Sequence, residues 1–186
     1  MEKQLEAPLK ISIEILEKNG YRYAMIGGLA LAQWGMVRPT YDIDIKVLVP
    51  NLDYKKIRTL LKSAFPQAGR QKAPENPFIV ATTIHDVIVD FLLALPGYEE
   101  LIIERAIQRE MGGWKMWICS AEDLIIQKVV AGREKDMHDV HSILVVQHGK
   151  LDYEYIEEWL MKFVEALDNE ELLKNYRLIL EKANKI

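Results

Sequence analysis

The chain has 186 residues, of which 49% are hydrophobic and 28% charged, with a formal net charge of −4. That balance suits one globular domain, or one domain with a helical appendage, and excludes a disordered chain. The only cysteine, Cys119, excludes a disulfide scaffold, and no run of 18 apolar residues is present to span a bilayer.

In chain order, residues 5–19 read as a helix, with Leu9, Ile13 and Leu16 at helical spacing and Asn19-Gly20 as its stop. Tyr23–Ile26 reads as a short strand running into Gly27-Gly28, and Leu29–Trp34 as a helix stopped by Gly35 and Pro39. Tyr41–Val49 alternates as a strand does: Tyr41, Ile43, Ile45 and Val47 share one face, while Asp42, Asp44 and Lys46 share the other. A helix is predicted over Leu52–Phe65, a loop over Pro66–Pro77, and strands over Phe78–Thr83 and Val87–Leu95. Tyr98–Ala106 reads as a short helix or a loop, and Ile107–Ile118 as a hairpin turning at Gly112-Gly113. From Ser120-Ala121-Glu122-Asp123, a capping-box-like start, the pattern is helical, over about 121–131, 136–147, 153–167 and 169–184. The expected fold class is α+β, a mixed sheet flanked by helices and followed by a helical bundle. Residues 1–118 form the α/β part and 119–186 a helical region packed on it.

Charge is spread unevenly. Lys55, Lys56, Arg58, Lys62, Arg70 and Lys72 form a basic run with no acid between them, whereas Leu151–Ile186 holds nine acids and five bases. The basic run reads as a solvated helix face with a loop, or as a landing strip for a polyanion such as RNA. The first six residues lack the apolar core of a signal peptide, so the expectation is a cytoplasmic protein with no membrane partner.

The informative stretch runs from Ile26 to Ile45. Asp42 and Asp44, at i and i+2 of one strand, point to the same side with Cα atoms about 7 Å apart. Paired carboxylates repel and resist desolvation, and a divalent cation between them removes that penalty. Hard oxygen ligands suit Mg²⁺, with Mn²⁺ as its alternative. Asp90 is the only charge in the apolar strand Val87–Leu95. If that strand lies beside the first, the three acids converge and can hold two metals. Gly27-Gly28, between a strand and a helix, lets backbone N–H groups approach a phosphate closely. Arg38 could grip a triphosphate bidentately and Thr40 could donate its hydroxyl. Each feature also has a structural reading: a common turn for the glycines, an exposed strand face for the acid pair, a satisfied core residue for Asp90.

In this order, Gly27-Gly28, then Asp42-Ile43-Asp44, then Asp90, resembles the nucleotidyltransferase superfamily of DNA polymerase β type. Ser120–Lys128 followed by Arg133–Val140 is similar to the AbiEii/MenT-type minimal nucleotidyltransferases, many of which are toxins of toxin–antitoxin pairs. The resemblance covers roughly residues 20–145. It implies that Gly27 and Gly28 cradle the nucleotide phosphates, that Asp42 and Asp44 bind metal, and that Asp90 completes the acidic set. It makes Lys128 and Asp136 the second active-site pair. It implies transfer of an NMP from an NTP to an acceptor hydroxyl, on RNA or tRNA or on a small molecule, and an antitoxin partner. The competing readings are an antibiotic-type transferase and a non-catalytic nucleotide-binding module.

Read from the residues alone, Lys128 lies in an apolar helix stretch, which suits snorkelling or a phosphate contact. Asp136 opens the next helix, as an N-cap or as a group orienting Lys128 or the acceptor. His138 and His141 suit a structural or surface role better than a metal cluster, and Trp114 and Trp117 suit packing better than base stacking.

Overall fold

A computed structural model describes residues 3–67 and 76–185. Arg70 and Lys72 of the basic run lie outside them. The described residues build a six-stranded mixed sheet and eight helices, the α+β class expected. By its contacts the chain divides into two compact units, Met1–Leu29 with Pro39–Cys119 and Ala30–Arg38 with Ser120–Ile186.

The first unit holds the sheet. Its strands are β1 (Tyr23–Met25), β2 (Asp42–Val47), β3 (Ile79–Ile84), β4 (Val87–Leu93), β5 (Ile107–Glu110) and β6 (Lys115–Ile118). They run in the order β3-β4-β2-β1-β6-β5. β2 lies parallel to β4 and antiparallel to β1, and β1 lies parallel to β6. Two tight turns close the antiparallel hairpins. His85 and Asp86 both take positive φ between β3 and β4, as a two-residue primed turn demands, and Gly112 and Gly113 do so between β5 and β6.

The period-2 pattern sorts the sheet into two faces. Ile43, Ile45 and Val47 on β2 stand in register with Val89, Phe91 and Leu93 on β4, and all six are fully buried. This apolar face is where burial stabilises most, at about 1.5–3 kcal/mol per large side chain. Helix α1 (Lys3–Lys18) packs on β2 and β4, α3 (Tyr54–Ala64) on β3, and α4 (Tyr98–Glu104) on β1. Residues 98–104 are thus a helix, the first of the two readings above. α3 starts two residues later than predicted, because a 3-10 turn over Pro50–Leu52 comes first. There Asn51 and Leu52 take positive φ, and Asp53 then caps α3 through the Lys56 N–H.

Helix α2 (Gly27–Trp34) begins at Gly27, not at Leu29. The glycine pair is therefore the first turn of the helix and not a loop before it. In the second unit come α5 (Ala121–Ala131), α6 (Glu134–Val146), α7 (Tyr153–Leu167) and α8 (Glu171–Ala183). Ser120 caps α5 by accepting the Asp123 N–H, and Gly132 ends it in the left-handed conformation. Asp123 is fully buried, and its carboxylate accepts from the Ser120 and Tyr155 hydroxyls. Asp136 does not cap α6: Arg133 is the N-cap residue, which places Asp136 in the first helical turn. No described helix is long and apolar enough to cross a membrane.

Candidate active site

Within the first unit, strand register decides where the acids go. Asp44 on β2 is the direct partner of Asp90 on the adjacent parallel strand, while Asp42 stands opposite Ile88. In-register neighbours share a face, and adjacent strands lie about 4.8 Å apart. Asp44 and Asp90 are therefore side by side on the face opposite the apolar core. Asp90 is buried, Asp44 half-buried and Asp42 exposed, so the three step from the sheet interior towards solvent. The neighbour of Asp90 on β3 is Ala81, which leaves that side uncrowded.

The glycine bend forms the next wall. Ile26 N–H donates to the Asp44 carbonyl, which holds the end of β1 on β2. Gly27 then takes φ +63°, and a Cβ there would stand 2.2 Å from Asp44 Oδ2. A Cβ on Gly28 would stand 2.4 Å from Thr40 Oγ1. Only glycines let the start of α2 approach this closely. The first N–H groups of a helix have no intrahelical acceptor, and the helix dipole favours anions there. Thr40 is buried, and its hydroxyl donates to Asp42 Oδ1 at 3.1 Å. The five residues Gly27, Gly28, Thr40, Asp42 and Asp44 are thus linked by close approach or hydrogen bond, and Asp90 joins them through the strand pairing.

Among the described residues, no three His, Cys, Asp or Glu side chains converge as a ready-made metal group. The register brings Asp44 and Asp90 together, and Asp42 is engaged by Thr40. The donor set is all carboxylate oxygen, and the missing Cβ atoms leave backbone N–H groups beside it. Both features fit a hard divalent cation with a phosphate ligand. His138 is exposed and His141 half-buried, in keeping with their surface reading. Trp117 is partly exposed on β6, and Trp114 has the Lys10 ammonium 5.2 Å from its ring centroid.

Arg38, Lys128 and Asp136 lie in the second unit, in one ion-pair network. Arg38 Nε and Nη2 donate to the two carboxylate oxygens of Asp139, each at 3.0 Å. Lys128 Nζ donates to Asp139 at 2.6 Å and to Asp136 at 3.3 Å. Arg133 completes the chain through two bonds to Asp136. Lys128, Asp136 and Asp139 are buried, so Lys128 does not snorkel to solvent. Burial pushes the Asp139 carboxyl up, but hydrogen bonds and charge from Arg38 and Lys128 outweigh it and hold it below the usual range. Asp139 and Arg133 were given no role by the sequence reading. The available signal was the Asp-x-x-Asp spacing, which sets Asp136 and Asp139 on one helix face.

In the basic run, Lys55, Lys56 and Lys62 are exposed. Arg58 instead donates to the carbonyls of Pro77 and Ile79, a structural role.

The fold is shared with solved structures. An antigenic nucleotidyltransferase-like protein from Paracoccidioides brasiliensis aligns over 94% of both chains, at 19% identity and a TM-score of 0.57. The antibiotic-resistance factor ANT(2'')-Ia aligns over 92% of this chain and 98% of its own, at 15% identity and a TM-score of 0.61. No curated protein matches the sequence significantly. Residues 9–184 match the family described as nucleotidyltransferase of unknown function (DUF6036), so the chain belongs to that family and is a nucleotidyltransferase.

Proposed function

We propose that this nucleotidyltransferase moves an NMP from a Mg²⁺-bound NTP to an acceptor hydroxyl and releases pyrophosphate. The observation that carries the reading is the pairing of Asp44 with Asp90 across β2 and β4, with Gly27 packed against Asp44. Nucleotidyltransferases generally use divalent metal ions, and the carboxylate donors here favour Mg²⁺, with Mn²⁺ as its substitute. Asp42 and Asp44 would hold the metal, with Asp90 as a further ligand. Bound there, the ion would neutralise charge developing on the phosphoryl group. Asp90 would also orient the acceptor hydroxyl and take its proton as the new O–P bond forms and the α–β phosphoanhydride bond breaks. Gly27 and Gly28 would present backbone N–H groups to the phosphates, and Thr40 would keep Asp42 in place. Arg38 would bind the triphosphate, with Lys128 and Asp136 as the charged groups behind it.

For the acceptor we favour RNA, such as tRNA, in line with the resemblance to the AbiEii/MenT branch and with the exposed Lys55, Lys56 and Lys62. That branch also implies an antitoxin partner. A second reading, a small cationic acceptor, is supported by the nine acids of Leu151–Ile186 and by the fold shared with an antibiotic-resistance factor. Labelled transfer onto bulk tRNA and onto a panel of small cationic molecules separates the two.

The direct test is Asp44→Ala. Loss of the acid is expected to lower labelled NMP transfer by about a hundredfold or more, the scale of losing one preorganised electrostatic contact, with the far-UV CD spectrum unchanged. Undiminished transfer would refute the site. NTP binding by calorimetry without turnover would identify a non-catalytic module instead.

A further inference from the structure

Segment 34–38 is fastened to α6 and its C-terminal cap at three points. Gln147 donates to the Trp34 carbonyl at 2.9 Å, the Met36 N–H donates to Ser142 Oγ at 2.5 Å, and Arg38 makes its two bonds to Asp139. A Cβ on Gly35 would stand 2.7 Å from Ser142 Oγ, so the segment passes close to the helix only because residue 35 is glycine. Met36 and Val37 are exposed and contribute little burial that would order the segment. Trp34, at its start, is buried, and the last of the polar contacts fixes a guanidinium.

Two buried carboxylates, Asp136 and Asp139, serve three cations, Arg38, Lys128 and Arg133. A buried ion pair adds little net stability, because desolvation offsets the attraction. What the network does impose is a fixed arrangement of its cations around the two carboxylates. The Arg38 and Arg133 side chains are 40% and 62% exposed whereas that of Lys128 is 7% exposed, so the two guanidiniums are its solvent-facing ends. Asp136 pairs with Arg133 three residues earlier and with Lys128. Asp139 joins Lys128 to Arg38, which is 101 residues away in sequence.

We propose that Asp139 is the positioning residue for the triphosphate: it sets the Arg38 guanidinium against the Lys128 ammonium in one fixed arrangement. This rests on the reading above of Arg38 and Lys128 as phosphate-binding groups. Asp139 itself touches no phosphate. Its carboxylate removes the rotational freedom of a long arginine side chain before the nucleotide arrives, which strengthens binding without adding a contact.

The test is calorimetry of the full-length chain with each of the four ribonucleoside triphosphates as non-hydrolysable analogues in Mg²⁺. Asp139→Asn keeps the shape and removes the charge. It is expected to raise the Kd about tenfold, the scale of one charge-assisted contact, with the stoichiometry unchanged. A merely structural role would lower the stoichiometry, as folded protein is lost, and leave the Kd of the remainder alone. In an Arg38→Ala background, Asp139→Asn is expected to raise the Kd by a clearly smaller factor than in the wild type, since one of the two groups it positions is gone. Should Asp139→Asn fail to fold, Asp139→Glu retains the charge and is expected to weaken binding by a smaller factor. If Arg38→Ala and Lys128→Ala weaken binding but the folded Asp139 variants do not, the positioning role is overturned while the phosphate reading stands. If Arg38→Ala and Lys128→Ala bind as tightly as the wild type, both fall together.

Discussion

Gly27 and Asp44 are packed so closely that a single added methyl group would overlap the carboxylate: the Cβ of an alanine at 27 would lie 2.2 Å from Asp44 Oδ2. The backbone at Gly27 is also left-handed, at φ +63°. Two separate costs therefore fall on one substitution. The conformation alone costs an alanine about 1–2 kcal/mol, and the overlap must be relieved by moving either the start of α2 or the Asp44 side chain.

Gly27→Ala is accordingly expected to lower both the urea midpoint and NMP transfer, the latter by at least about tenfold, since a small misplacement of reacting groups is costly. Gly20→Ala is the control. Gly20 has φ +74° but nothing within 4 Å of its added Cβ. That variant should lose about 1 kcal/mol of stability and keep full transfer activity. Equal activity losses in the two variants would show that the overlap with Asp44 is irrelevant to the chemistry.

Much of this site was legible in the sequence because its signals are local. The alternation of Asp42-Ile43-Asp44-Ile45 separates acids from core at a period of two, and the structure keeps that separation. The Ser120 cap and the Gly112-Gly113 turn were likewise readable, since a cap or a turn is specified by residues in direct succession. What pairs with what across the chain was not. That β4 joins β2 in parallel, with Asp90 opposite Asp44, was only a condition in the sequence argument, because the pairing is fixed by the whole core and not by either strand. The partnership of Asp139 with Arg38 was missed for the same reason: a bidentate pair separated by 101 residues leaves no local mark. The start of α2 was placed late because glycine is a poor helix former. Here it opens the helix for the close approach it allows, not for its propensity.

The Asp139 carboxyl gives a pH dependence with a definite sign. Burial raises its pKa, but Arg38 and Lys128 lower it by more, so its folded value lies below the unfolded carboxylate value of about 3.9. A depressed carboxyl contributes stability that is present above the unfolded pKa and is lost as pH falls through the folded one. Arg38 and Lys128 face it, and Asp136 and Arg133 adjoin Lys128. The wild type should therefore exceed Asp139→Asn in urea midpoint by a constant margin from pH 7 to pH 5. That margin should shrink below about pH 4. A margin that persists unchanged at pH 3 would mean the carboxylate is not the source of the difference.

Lys46 shares the strand face of Asp42 and Asp44 but belongs to the scaffold. It is only 5% exposed, and its ammonium pairs with Glu99 on α4, which also accepts the Leu95 N–H. The two partners differ in what each leaves behind. Glu99→Gln strands a buried ammonium in the middle of the sheet, whereas Lys46→Met leaves a carboxylate that is one-third exposed and still hydrogen-bonded. Stranding a buried charge costs about 3–5 kcal/mol, while an exposed partner can rehydrate. Glu99→Gln is therefore expected to lower the urea midpoint markedly more than Lys46→Met, and the double variant to sit close to Lys46→Met alone. Transfer per folded molecule should be unchanged in Lys46→Met, because α4 and the apolar core hold the strand in place. Equal destabilisation by the two single variants would show that the asymmetry in burial does not govern this pair.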